Sequence, residues 1–209
     1  MNKDLTDITL IVDRSGSMIS CKAEAEGGIK GFISDQKSSP GDAIFSLMQF
    51  DTEHEYIFNG IPIKDIKEYK LHPRGMTALL DAVGTTINKT AERISKLSEE
   101  EKPALIIVAI ITDGHENSSH EFSRAKIKEL ITAKENEGWK FTYLGADQSA
   151  FDEAESMGIK GDATAHYCIR NVKGTYDALS TSVAMMRAKS MAGESVKMSY
   201  SDEDRKKMK

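Results

Sequence analysis

Cysteine is scarce: the chain has only Cys21 and Cys168, far apart in sequence. They form no C-x-x-C pair, so neither a disulfide framework nor a thiolate metal site can be read from them. The expectation is two reduced, dispensable thiols in a reducing compartment. A surplus of positive charge is also missing. There are 28 Lys and Arg against 33 Asp and Glu, a formal net charge of -5. Nucleic acid and anionic membrane surfaces select for clustered cations, so neither is expected as a partner. No apolar run reaches the ~18 residues of a membrane span. Nor does an apolar leader stretch precede the first strand-like segment. These absences point to a cytoplasmic protein.

What is present is ordinary globular material: 209 residues, 39% hydrophobic and 29% charged. That length suggests one domain with enough core to need no staple. The domain is expected over residues 1–189, with 190–209 as a loosely held tail. Ile8–Val12 is a β-branched apolar run of the kind found in strands buried on both faces. A helix from about Ile19 to Asp35 follows, in which Gly27, Gly28 and Gly31 either weaken it or allow close packing. Ala43–Phe50 reads as a strand, Asp51–Glu53 as a tight connection, and Glu55–Gly60 as an antiparallel return. An amphipathic helix runs from about Ala78 to Leu97. Ala104–Ile111 is the most hydrophobic stretch and a central strand. A helix near Ser123–Glu137, a strand at Trp139–Gly145, a short helix near Gln148–Met157 and a strand near Ala163–Ile169 complete the alternation. Val172, Tyr176, Leu179, Val183 and Met186 then share one helical face. The implied fold is α/β and three-layered, with a doubly wound, mostly parallel sheet and one antiparallel edge hairpin strand. Right-handed crossovers bring the strand-to-helix loops to one sheet edge, where ligands bind in such folds.

Three loops at that edge carry chemistry. The first is Asp13-Arg14-Ser15-Gly16-Ser17, the second Arg74-Gly75-Met76-Thr77, the third Thr112-Asp113-Gly114. Asp13, Ser15, Ser17, Thr77 and Asp113 make an all-oxygen set of two carboxylates and three hydroxyls. Hard cations such as Mg²⁺, Mn²⁺ or Ca²⁺ take such ligands, and soft metals do not. Two carboxylates just neutralise a divalent ion if both are ionised. If several of the five groups bind only through water, the ion stays electrophilic, with an open face that a carboxylate from another molecule can complete. Arg14, Arg74 and His115 are candidates for the rim that meets a ligand.

The full D-x-S-x-S at Asp13–Ser17, with Thr77 and Asp113 in the right strand–helix order, resembles the metal-ion-dependent adhesion site of von Willebrand factor A domains. The likeness extends from about Thr6 to Ile169, and the chain as a whole is similar to small stand-alone members from bacteria and their phages. It implies that Ser15, Ser17 and Thr77 are direct hydroxyl ligands. Asp13 and Asp113 would act largely through water or as outer acceptors, and the open position would take an Asp or Glu of a protein partner. It also implies a non-catalytic binding module, with an adaptor subunit of an AAA+ chelatase-like or stress-response complex as one form of that role.

The rival reading from another class is a Mg²⁺-dependent phosphohydrolase. Enzymes with an aspartyl nucleophile usually place a second Asp two residues later, and here that position is Ser15. Other motifs are weaker. His115, Glu116 and His120 fall in H-E-x-x-x-H spacing, one residue off the helical zinc-protease pair. His54, His72 and His166 are isolated. Cys21 lacks a nucleophile's surroundings. Gly27, Gly28 and Gly31 lack the strand-then-glycine order of a phosphate loop.

Overall fold

The computed structural model describes residues 1–146 and 149–209. Five strands run parallel: β1 (Asn2–Asp13), β2 (Asp42–Phe50), β4 (Pro103–Thr112), β5 (Lys140–Gly145) and β6 (Thr164–His166). β3 (His54–Pro62) returns antiparallel to β2, and the order across the sheet is β3-β2-β1-β4-β5-β6. β1 and β4 are the central pair, and Ile8, Leu10, Ile107 and Val108 have no exposed surface. A strand covered on both faces can be apolar at every position, which is why these two read as continuous runs. β3 instead alternates between exposed and half-buried residues, as an edge strand with one wet face must.

The helices are α1 (Lys22–Ser38), α2 (Leu79–Ser95), α3 (Arg124–Asn136), α4 (Ala150–Ser156), α5 (Val172–Met191) and α6 (Asp202–Lys207). From β1 the chain crosses to β2 through α1, and from the β2–β3 hairpin it crosses back to β4 through α2. Right-handed crossovers in opposite directions put α1 and α2 on opposite faces. α5 joins α1 on its face, while α3 packs beside α2 and α4 beside α3. Gly28 makes the α1–α5 contact possible, since a Cβ there would lie 2.3 Å from Cδ2 of Tyr176. The five apolar residues expected on one face of α5, Val172, Tyr176, Leu179, Val183 and Met186, are all buried.

Several boundaries differ from the sequence reading. The first helix begins at Lys22 rather than Ile19, because Gly16–Cys21 form a 3₁₀ turn that carries the chain out of the first motif. The short fourth helix is seen over Ala150–Ser156, and Gln148, where it was expected to start, lies outside the described residues. The last strand spans only Thr164–His166, because a 3₁₀ turn at Ile169–Asn171 redirects the chain into α5.

The C-terminal residues expected to hang loosely do not. Met198, Tyr200 and Met208 are buried. Tyr200 donates its N–H to Asp162 O (3.0 Å), its hydroxyl lies 2.9 Å from Thr142 Oγ1, and Cys168 N–H donates to Met208 O (2.9 Å). Arg205 hydrogen-bonds the carbonyls of Thr164 and Gly161. Three widely spaced apolar residues give no periodic signal, yet they suffice to seat the segment. Cys21 is buried, Cys168 is half-buried, and neither is in a disulfide. Among the described residues no helix is long and apolar enough to cross a membrane.

Candidate metal centre

β1 and β4 end side by side where the strand order reverses. Asp13, at the end of β1, is wholly buried there. Its Oδ1 accepts the N–H of Ser15 (2.6 Å), which folds the loop back over it. Its Oδ2 accepts the hydroxyl of Thr112, the last residue of β4 (2.6 Å). Both carboxylate oxygens are therefore engaged, and Asp13 ties the two strand ends together.

The hydroxyls lie above this anchor. Ser15 Oγ is 3.0 Å from Ser17 Oγ, and Ser17 Oγ donates to Asp113 Oδ1 (2.8 Å). Asp113 Oδ2 is buried and has no hydrogen-bond partner among the described residues. Thr77 reaches the group from the second loop. Its Oγ1 and that of Ser17 lie 3.5 and 4.0 Å from the point a Cβ on Gly114 would occupy. The five residues named from the sequence thus converge. Asp13, Ser15 and Thr77 are buried, Asp113 is half-buried and Ser17 is exposed, so the cluster opens to solvent on the Ser17 side.

The loops hold one another by backbone bonds. Arg74 N–H donates to Arg14 O (2.8 Å) and Gly16 N–H to Gly75 O (3.2 Å). Gly75 has φ +68°, and a Cβ there would stand 2.9 Å from Thr52 Oγ1, so the turn requires glycine. Asn117 pins Thr77 at both ends: its Oδ1 accepts Thr77 N–H (2.9 Å) and its N–H donates to Thr77 O (3.0 Å).

The rim expected from Arg14 and Arg74 is not there as such. Arg14 is buried, and its Nε donates to Asp51 Oδ2 (2.7 Å) while Nη1 pairs with Glu55. Arg74 is exposed but also donates to Asp51 Oδ2 (2.8 Å), and its Nη2 to Glu53 (3.0 Å). Asp51 is the residue the sequence reading missed. It directly follows Phe50, which ends β2 in register with Asp13 at the end of β1, and that position at the same sheet edge was the available signal. Its carbonyl also accepts Ala78 N–H (2.8 Å), so one residue braces both the first and second loops. Burial opposes its charge, but the N–H of Glu53 and the two guanidiniums outweigh it and hold the carboxyl below the ordinary range.

Asp81 was also missed, and Glu116 was weighed only in a zinc-protease spacing; both brace the third loop. Asp81 accepts the N–H groups of His120, Glu121 and Phe122, and Glu116 those of Ser118, Ser119 and Leu80. Glu116 is thus a structural acceptor rather than a catalytic base. His115 is exposed, with Nδ1 3.3 Å from Ser149 Oγ. His166 Nε2 lies 3.0 Å from Ala146 O.

Electrostatically the two carboxylates of the centre are under-compensated. Burial pushes Asp13 up to about 6, against hydrogen bonds from Thr112 and Ser15, and the nearby Asp113 adds to the rise. Burial also raises Asp113, against the Ser17 hydrogen bond. No basic side chain counters either shift. Burial and the carboxylates of Asp113, Glu24 and Asp13 push the Cys21 thiol up to about 11, which makes it a poor nucleophile. Among the described residues no group of three or more His, Cys, Asp or Glu could hold a metal, so any ion here must use the hydroxyls. Two under-compensated carboxylates, an orphaned carboxylate oxygen and three neutral oxygens fit a hard divalent cation.

No protein-family model and no curated protein sequence matches the chain. Solved structures do match in fold. Proximal thread matrix protein 1 from the mussel byssus aligns with TM-score 0.63 and 15% identity over 86% of this chain and 46% of its own. This chain therefore spans less than half the length of that protein. The vWF domain of the type V pili tip protein Mfa5 from Porphyromonas gingivalis gives 0.60 and 10%, over 86% and 95%. Manganese-loaded TRAP protein of Plasmodium vivax gives 0.56 and 15%, over 83% and 72%. In another structure of the mussel protein, with TM-score 0.56 and 13% identity over the same shares, the MIDAS motif is occupied by zinc. The chain has the von Willebrand factor A fold.

Proposed function

We propose that this protein is a non-catalytic, metal-dependent binding module acting as one domain. In this reading Asp13, Ser15, Ser17, Thr77 and Asp113 hold Mg²⁺, or Mn²⁺ or Ca²⁺ in its place, and a partner protein's Asp or Glu binds there. The observation that carries it is Asp113 Oδ2, a buried carboxylate oxygen with no hydrogen-bond partner among the described residues, in a carboxylate bonded to the Ser17 hydroxyl. A buried, unpaired acceptor is costly unless something completes it. When bound, a hard divalent cation supplies a positive centre that accepts an anionic oxygen at an open position. Ser15, Ser17 and Thr77 offer neutral oxygens, and the two carboxylates supply the countercharge. Asp13 already accepts two short bonds, so its part is to fix Ser15 and Thr112 from outside the immediate ligand set. Metal-loaded neighbours of the same fold, one with manganese and one with zinc, support the reading.

A phosphohydrolase is less well supported. An aspartyl nucleophile needs a free oxygen, and both oxygens of the buried Asp13 are bonded. Arg14 and Arg74, which could have held a phosphoryl group, are committed to Asp51. Calorimetric titration of Mg²⁺ into metal-stripped protein should give single-site binding that the Ser15→Ala/Ser17→Ala variant loses by at least about tenfold. Water-proton relaxation of the Mn²⁺-loaded protein should change when excess acetate is added, as a carboxylate takes a water's place. Equal metal binding by the variant would sink the proposal. Turnover of an aryl phosphate abolished in Asp13→Asn would favour the enzyme.

A further inference from the structure

A cavity lies away from the metal centre, between α1 and the stretch 63–71 that follows β3. Its volume is about 710 Å³, in the range of small-ligand and peptide sites. The stretch is fastened to α1 at two points. Lys37 Nζ donates to Ile66 O (3.0 Å), and Leu71 N–H donates to Glu26 Oε1 (2.7 Å). Between them, the backbone groups of residues 67–70 make no hydrogen bond to any described residue. Ile33, Ile66 and Tyr69 give the groove a buried apolar floor. Lys30, Lys67 and Lys70 stand exposed around it, with no carboxylate in ion-pair distance among the described residues. The lining as a whole holds four lysines against Glu26 and Glu68, in a chain whose net charge is -5.

Gly27 sharpens this picture. Its neighbour Gly28 is required by Tyr176, but a Cβ at Gly27 would meet nothing within 4 Å. Gly27 is not at positive φ either. Mid-helix glycine is less favourable than alanine, and packing gives no reason to bear that here. Gly27 lines the groove, and any side chain there would narrow it.

We infer that this groove docks an acidic, extended peptide segment of a partner protein. Backbone groups of 67–70 that no described residue engages can bond an extended peptide's main chain, the apolar floor takes its apolar side chains, and the lysines match carboxylates in charge. The test is selection of random dodecapeptides displayed against the full chain, with Gly27→Leu as counter-target. Enriched peptides should be rich in Asp and Glu next to apolar residues. Fluorescence anisotropy of a labelled winner should show at least a tenfold loss of affinity in Gly27→Leu and in the Lys30→Glu/Lys67→Glu/Lys70→Glu variant. Gly27→Ala should raise the melting temperature by about 2–4 °C, which would confirm that stability does not explain the glycine. Failure to enrich any peptide, equal binding to Gly27→Leu, or winners without acidic residues would overturn the inference. So would Gly27-dependent binding of phosphatidylserine vesicles or a single-stranded oligonucleotide instead of peptide. Metal binding by the protein is unaffected by any of these outcomes.

Discussion

Asp113 has one oxygen bonded to Ser17 and the other buried without a hydrogen-bond partner among the described residues. Asp113→Asn keeps an acceptor for Ser17 and removes a like charge from beside Asp13. The metal-free variant should be as stable as the parent within about 1 kcal/mol, while Mg²⁺ affinity falls at least about tenfold. Thermal melts with and without Mg²⁺ check both halves. Asp13 adds a pH dependence. Its folded value of about 6 lies above the ordinary 3.8, so the fold favours the protonated acid. By linkage the metal-free protein loses stability as pH rises through that window, by at most about 3 kcal/mol from this group. A cation reverses the preference, since it binds the carboxylate. The rise in melting temperature produced by Mg²⁺ should be large near about pH 7.5 and small near about pH 5, and equal rises would contradict this. The five oxygen residues were legible because identity and spacing alone mark a D-x-S-x-S. Arg14 was misjudged because spacing does not say which way a side chain turns, and it turns inward to Asp51.

At the scale of elements, Asp51 is a brace between loops. It joins Arg14 of the first loop to Arg74 of the second and takes the amide of Ala78 at the start of α2. Asp51→Ala leaves the buried Arg14 short of a partner, and loss of one member of a buried pair costs about 3–5 kcal/mol. Arg74→Ala removes an exposed pair and should cost less than about 1 kcal/mol. Urea unfolding of both variants tests the contrast, and similar losses would show that Asp51 is no brace. β2, β4 and β5 were readable to within a residue, because burial leaves continuous apolar runs, whereas β1 begins at Asn2, six residues before the run expected from Ile8, because its polar first residues carry no apolar signal. The start of α1 was not readable either. A 3₁₀ turn has no apolar period of its own, and the hydrophobic residues Met18 and Ile19 blend into the helix that follows.

Across the whole molecule, the sheet's reversal between β1 and β4 creates the edge where the three loops meet, and the alternation of strands and helices already implied it. The C-terminal segment was hidden, because its charged surface masks three buried anchors. Removing residues 194–209 exposes the seats of Met198, Tyr200 and Met208. Each buried side chain of this size contributes about 1.5–3 kcal/mol. The truncated chain should melt at least about 5 °C lower, whereas a free tail would change nothing. A metal at the meeting point of the three loops can be located by anomalous diffraction from crystals grown with Mn²⁺. One strong manganese peak is expected among Ser15 Oγ, Ser17 Oγ, Thr77 Oγ1 and Asp113, absent in Asp113→Asn crystals. No peak there in the parent protein, or manganese bound only elsewhere, would contradict the proposed metal centre.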